Sequence, residues 1–244
     1  MKRAAVHMQA VLDHDAVTAP RQVRSRRTLD HILAALSELL REKSFDQISM
    51  HELAGRSGCA VTSIYARFKD KWSIIAALHE SFREDCIVRI DTFLAPERWR
   101  GATADDIIAA TTAALVAAYH EHRHLMHAVL LTDDPRVYGR AASVAQHAAE
   151  RLVEVLPPPA DGADAQFRRR VHFGVRVIMA SLQQMVLFDA ADWAARTNAD
   201  IARELAALMT PYLGYSQRSV SRRSRRTGDN DTKQPGGRPG GRTE

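Results

Sequence analysis

Residues 58–71 read GCAVTSIYARFKDK, Gly58 to Lys71, and their mixture of side chains decides the fold. Ile64 and Phe68 stand four apart and share one helical face. Around them lie Thr62, Ser63, Tyr65, Ala66 and Arg67, a surface of small, hydroxylated and basic groups on a helix with almost no core of its own. Just upstream, Ser49-Met50-His51-Glu52 fits a Ser-x-x-Glu capping box that opens a short helix, and Ser57-Gly58 ends it. Gly58 suits a tight turn whose backbone needs a positive φ. Before these, Leu29, Ile32, Leu33, Leu36, Leu39 and Leu40 make one apolar stripe closed by Arg41-Glu42-Lys43.

An amphipathic helix followed by two short helices joined through a glycine turn describes a helix-turn-helix unit. The exposed polarity of the last helix is explained if it enters a DNA groove. Ser and Thr hydroxyls exchange hydrogen bonds with base edges, and their carbons touch a thymine methyl. Tyr65 and Arg67 reach toward phosphate oxygens. Lys71, at the start of the next helix, adds charge beside free backbone amides.

These residues also carry a family resemblance. The run Phe45-x-x-Ile48-Ser49, Leu53-Ala54, Gly58, Ile64-Tyr65-x-x-Phe68-x-x-Lys71 resembles the DNA-binding domain of the TetR family of transcriptional regulators, over residues 24–75. The resemblance implies an all-α chain: a three-helix helix-turn-helix domain, then a larger helical domain for effector binding and dimerisation. It implies that Ser49, His51, Val61, Thr62 and Ser63 approach bases or backbone, and that Tyr65, Arg67 and Lys71 hold phosphates. Three positions depart from the family pattern. Ala60 replaces the Ser that caps the recognition helix, a change worth ~1 kcal/mol; Thr62 and Ser44 each replace a glycine.

The 244 residues carry a formal charge of +5, unevenly spread. Residues 1–27 hold six basic and two acidic side chains, residues 28–71 six of each, residues 72–215 fourteen and eighteen, and residues 216–244 eight and three. Basic ends on an acidic body suit contact with a polyanion at one end of the molecule. The arm Arg21–Arg27, with Arg24, Arg26 and Arg27, is placed to track the DNA backbone or enter the minor groove. Residues 1–23 read as a loose arm and 216–244, with Val220 as its one aliphatic residue, as a disordered basic tail.

Only Cys59 and Cys86 occur, which suits a reducing, cytoplasmic setting. The N-terminus starts basic but carries Asp13 and Asp15 and no sustained apolar centre, unlike a secretory signal. No apolar run approaches the roughly 18 residues of a membrane span. No nucleophile elbow, phosphate loop or paired-carboxylate constellation marks an enzyme, and no cofactor is implied.

Beyond Lys71 the apolar spacing predicts helices near 72–94, 104–119, 122–131, 137–156, 164–188 and 198–213, the body of the domain at 72–215. Phe167, Val171, Gly174, Ile178, Leu182 and Met185 recur at spacings of three and four, as do Val144, Ala148, Leu152 and Val155. TetR-like dimers join through two C-terminal helices, and this pair, 137–156 with 164–188, is the expected interface. A homodimer on a palindromic operator follows, with half-sites roughly 34–36 Å apart. Ile108, Thr111, Leu115, Tyr119, Met126 and Phe173 are candidates to line a largely apolar effector cavity. The histidine-rich run His120–His127 leaves a metal-responsive regulator open as an alternative, although Arg123 sits among the histidines and no metal ligand set is assigned. A chromosome-binding protein driven by its basic ends is a further alternative.

Overall fold

The computed structural model describes residues 23–131, 135–158, 164–188 and 195–215. Among them the chain is helical without strands. Helix α1 is Val23–Glu42, followed by a 3-10 turn at Phe45–Gln47, α2 at Met50–Ser57, α3 at Val61–Tyr65 and α4 at Lys71–Phe93. The body continues with α5 Ala104–Glu121, α6 Arg123–Leu130, α7 Pro135–Val155, α8 Asp164–Phe188 and α9 Asn198–Tyr212. The expected helices thus appear within two residues at every boundary. Of the expected loose arm at 1–23, Val23 instead opens α1 and the rest lies outside the described residues, as does the expected basic tail at 216–244.

The signals that start and stop these helices are local. Ser49 Oγ accepts from the Glu52 amide at 3.1 Å, as a capping residue should. The other half of the expected box is missing, because the Glu52 carboxylate turns to Lys43 Nζ at 2.6 Å. Gly58 takes φ +66°, ψ 20°, and the Cys59 amide returns to the Ala54 carbonyl at 3.1 Å, closing α2 with a left-handed residue. Ala60 occupies the N-cap of α3 and supplies no side-chain bond. Asp70 and Ser73 form a reciprocal capping box that starts α4.

Two cores organise the molecule. The first gathers the whole α1 stripe with Phe45, Ile48, Leu53, Ile64, Phe68, Ile74, Ile75 and Leu78. It also takes in Leu125, Ala128 and Val129 of α6. The helix-turn-helix head is therefore not closed by its own residues: the first half of α4 and one face of α6 complete it. The second core is built from α5, α7, α8 and α9, around Ile107, Val116, Leu152, Val171, Val175 and Leu182. Met126 packs against both.

The expected dimer stripes on α7 and α8 prove to face inward. Phe167, Val171, Ile178 and Leu182 are buried together with Ala148 and Leu152 in the second core. Helix α7 packs on α4 and α8. A periodic stripe says which face of a helix is apolar, not whether the neighbour belongs to the same chain. Gly174 does allow a close approach, but to α9: a Cβ there would lie 2.5 Å from Met209 Cε. On α8 and α9 the large apolar groups left in the open are Phe173, Val177 and Phe188, with Leu208 and Tyr212. Helix α8 is, by length and composition, apolar enough to cross a membrane, with a mean hydropathy of 1.3. Its inner face is nevertheless committed to the second core.

Because one apolar core spans head and body, Leu125→Ala is expected to cost about 2–5 kcal/mol. Urea unfolding followed by tryptophan fluorescence and by far-UV circular dichroism should show one transition moving to lower denaturant with both probes. Two separate transitions would contradict the shared core.

Candidate nucleic-acid interface

The recognition surface is set by two anchors. Ile64 and Phe68 are fully buried and fix the roll of α3, so that Tyr65 is left 53% exposed. Thr62 is exposed beside it, while Val61 and Ser63 are half-buried at the rim of the core. Ser49 and His51, at the start of α2, are exposed on the same head. Five residues of helix suffice here because packing, rather than propensity or a cap, holds them.

The basic side chains divide differently from expectation. Lys71 was expected to hold phosphate. Its ammonium instead donates to three carbonyls, Phe45 at 2.7 Å, Ile48 at 3.1 Å and Asp46 at 3.3 Å, and lies 4.4 Å from the centre of the Phe45 ring. Burial pushes it below the ordinary lysine value, with Asp46 opposing. Lys71 thus ties the 3-10 turn to α4. Arg67 is likewise turned inward, donating to the Ser63 carbonyl and to Ser25 Oγ, each at 2.9 Å. It joins the end of the recognition helix to the first turn of α1. The inward turn of both cations is a long-range fact: each partner lies more than twenty residues away, apart from the Ser63 carbonyl. Sequence spacing carries no signal of it.

Arg24, Arg26 and Arg27 were expected on a basic arm just ahead of the first helix. They occur instead within the first turns of α1, with Arg26 and Arg27 exposed and the Arg24 side chain outside the described residues. Arg26 and Arg27, together with Lys69 beyond α3, are exposed to solvent.

On the body, Ile108 and Tyr119 are buried, Leu115 and Met126 half-buried, all packed in the second core. The Thr111 hydroxyl is enclosed without a hydrogen-bond partner. Such an orphan group costs free energy unless something occupies it. The Tyr119 hydroxyl meets Gln183 Nε2 of α8 at 3.5 Å, and burial pushes its pKa up to about 12. Phe173 does not belong with them. It is 57% exposed and stacks near Tyr212, ring centres 6.0 Å apart, on the outer face.

The histidine run does not converge. His120 Nδ1 lies 3.3 Å from Asn198, His122 packs on Phe82 with ring centres 4.6 Å apart, and His124 and His127 face the end of α1. Among the described residues no three His, Cys, Asp or Glu side chains are grouped to hold a metal ion.

Residues 32–78 match the family model of bacterial regulatory proteins, tetR family. The head is a TetR-family DNA-binding domain. The fold of TetR-family regulators is shared over about three quarters of the chain. A tetR-family regulator from Streptomyces coelicolor superposes with TM-score 0.58 at 15% identity, over 78% of this chain and 81% of that one. FadR from Bacillus subtilis, in complex with stearoyl-CoA, gives 0.54 at 16% identity, over 74% and 96%. FadR from Thermus thermophilus, in complex with lauroyl-CoA, gives 0.51 at 15%, over 79% and 98%. No curated protein matches the chain. In this head Lys71 and Arg67 donate to groups of the chain itself, and Thr62 and Tyr65 are the exposed groups of α3.

Two measurements separate framework from contact. Lys71→Met should lower stability by about 1–3 kcal/mol, since three carbonyls lose a charged donor. It should leave the salt dependence of DNA binding unchanged. Arg26→Ala with Arg27→Ala should do the reverse, reducing the slope of log K against log salt by about one to two.

The histidines give a pH signature. Burial, ahead of neighbouring charges, holds His122 and His124 below the usual histidine value. The unfolded chain therefore binds more protons than the folded one, and stability falls as pH drops through the unfolded histidine pKa of about 6.5. A melting temperature lower near pH 5.5 than near pH 7.5, with the difference reduced in His122→Gln/His124→Gln, is the expected result.

Proposed function

We propose that the chain is a dimeric, effector-responsive transcriptional regulator of the TetR type, most simply a cytoplasmic repressor released from a palindromic operator. The observation that carries this reading is the outward face of α3. Buried Ile64 and Phe68 seat the helix so that Thr62 and Tyr65 project from the head. Thr62 and Ser63 then meet base edges, Tyr65 donates to a phosphate oxygen, and Ser49, His51, Val61 and the exposed arginines of α1 fix register.

The dimer face proposed here is the open apolar strip of α8 and α9, Phe173, Val177, Leu208 and Tyr212, in place of the α7–α8 pair that the stripes suggested. It remains exposed after both cores are filled, and a second copy sets the separation of two heads.

The effector reading rests on the inner face of α5. Ile108, Thr111, Leu115 and Tyr119 recur there at helical spacing, and the Thr111 hydroxyl awaits a partner. That lining suits a largely apolar molecule with one or two acceptors. Two FadR proteins of this fold are found in complex with stearoyl-CoA and lauroyl-CoA, ligands of the largely apolar kind proposed here. An effector that fits one arrangement of α5 and α6 better than another would shift head spacing by its differential affinity.

The decisive experiment is selection of bound duplexes from a random DNA pool. A two-fold site should emerge, and absence of any enriched palindrome would sink the reading. In gel-shift titrations, Thr62→Ala should change which bases are preferred by about 1–3 kcal/mol at one position. Tyr65→Phe should weaken all sequences alike. Phe173→Glu with Leu208→Glu should yield a folded monomer that no longer retains the full site.

A further inference from the structure

Across the joint between head and body lies a cleft of about 230 Å³, formed by the end of α1 and the first turns of α6. Its polar lining is Arg41, Glu42, Lys43 and Ser44 on the head side, and His124 and His127 on the body side. The charges here are unequally matched. Glu42 is held by both terminal nitrogens of Arg56, at 2.7 and 2.9 Å. Lys43 is held by Glu52 at 2.6 Å. On the body side Arg123 donates to the His120 carbonyl at 3.0 Å, and Glu121 lies beside His122 at 3.7 Å. The side chains of Arg41, His124 and His127 make no hydrogen bond or ion pair among the described residues. Ser44 precedes the 3-10 turn without spending its hydroxyl as a cap. The cleft therefore offers one guanidinium, two imidazoles and a hydroxyl, while its single carboxylate is already neutralised.

We propose that this cleft binds a small oxyanion, of phosphate or polycarboxylate chemistry, that bridges Arg41 on the reading head to His124 and His127 on the body. The guanidinium supplies the fixed charge and the bidentate geometry such groups favour. The imidazoles supply donors that gain charge as protons bind. Burial first, and then Arg123, Arg41 and His127, hold His124 below the usual histidine value. An anion between these cations reverses the electrostatic part, so binding draws a proton onto the imidazole and strengthens as pH falls. A cation is disfavoured by the same guanidinium. An apolar ligand would strand the donors. The site is separate from the α5 face proposed for the effector, and its test does not depend on any DNA.

The test is a titration of histidine ring resonances in the full chain with sodium sulfate, which stays doubly charged across the pH range, against sodium chloride at matched ionic strength. A parallel titration with citrate distinguishes the polycarboxylate class. Saturable shifts at His124 and His127 are expected with at least one probe, tighter near pH 6 than near pH 8 by about threefold or more. The apparent His124 pKa should rise at saturation. Arg41→Gln, a surface substitution, should weaken binding by about tenfold. His124→Asn provides a second variant, expected to remove most of the pH dependence of binding. Absence of saturation with either probe, or affinity unchanged in Arg41→Gln, overturns the proposal.

Discussion

The reading head cannot complete its own core. Six apolar residues of α1 need more cover than α2 and α3 provide, and that cover comes from the start of α4 and from Leu125, Ala128 and Val129 of α6. Each such side chain is worth about 1.5–3 kcal/mol when removed from water. The orientation of α1 is thus tied to where α6 lies. Anything that moves α6 must either move the head or expose part of this core. That is a mechanical link made of hydrophobic burial, and the remaining features of the molecule act through it.

The cations illustrate how a small head spends its charge. Lys71 and Arg67 stitch the 3-10 turn and the first turn of α1 to the ends of α3 and α4. With so few residues in α3 and no cap at Ala60, these bonds and the two buried anchors hold the recognition helix in place. Rigid presentation matters because base contacts discriminate only when donor and acceptor are fixed to within a fraction of an ångström. Charge drawn inward in this way leaves Arg26 and Arg27 of α1, with Lys69, as exposed cations of the head.

What the sequence made legible was local. The α1 stripe, the positive φ at Gly58, the uncapped Ala60 and the inward Ile64 and Phe68 all follow from short-range spacing or single-residue chemistry. The partners of Glu52, Lys71 and Arg67 were not legible, since each depends on which distant atoms the fold brings near. On the body, periodicity placed the inner faces of α7 and α8 correctly as apolar but not their neighbours. The exposed strip of Phe173, Val177, Leu208 and Tyr212 was not legible because an i, i+4 apolar pair on each helix looks the same whether it faces core or solvent. Phe173 looked like a cavity residue for the same reason: composition does not tell the inside of a bundle from its outside.

Met126 shows how the two cores communicate. Helix α6 offers one face to the head through Leu125, Ala128 and Val129, and the other to the body through Leu130, with Met126 packed against both. A helix of eight residues with two committed faces has few ways to move, and rotation about its own axis would unseat both at once. A methionine suits the shared position, since its unbranched thioether repacks at little cost. The orphan hydroxyl of Thr111 sits on α5, the helix that leads directly into α6 across His122. The proposed effector face and the joint to the head thus lie on one continuous run of chain.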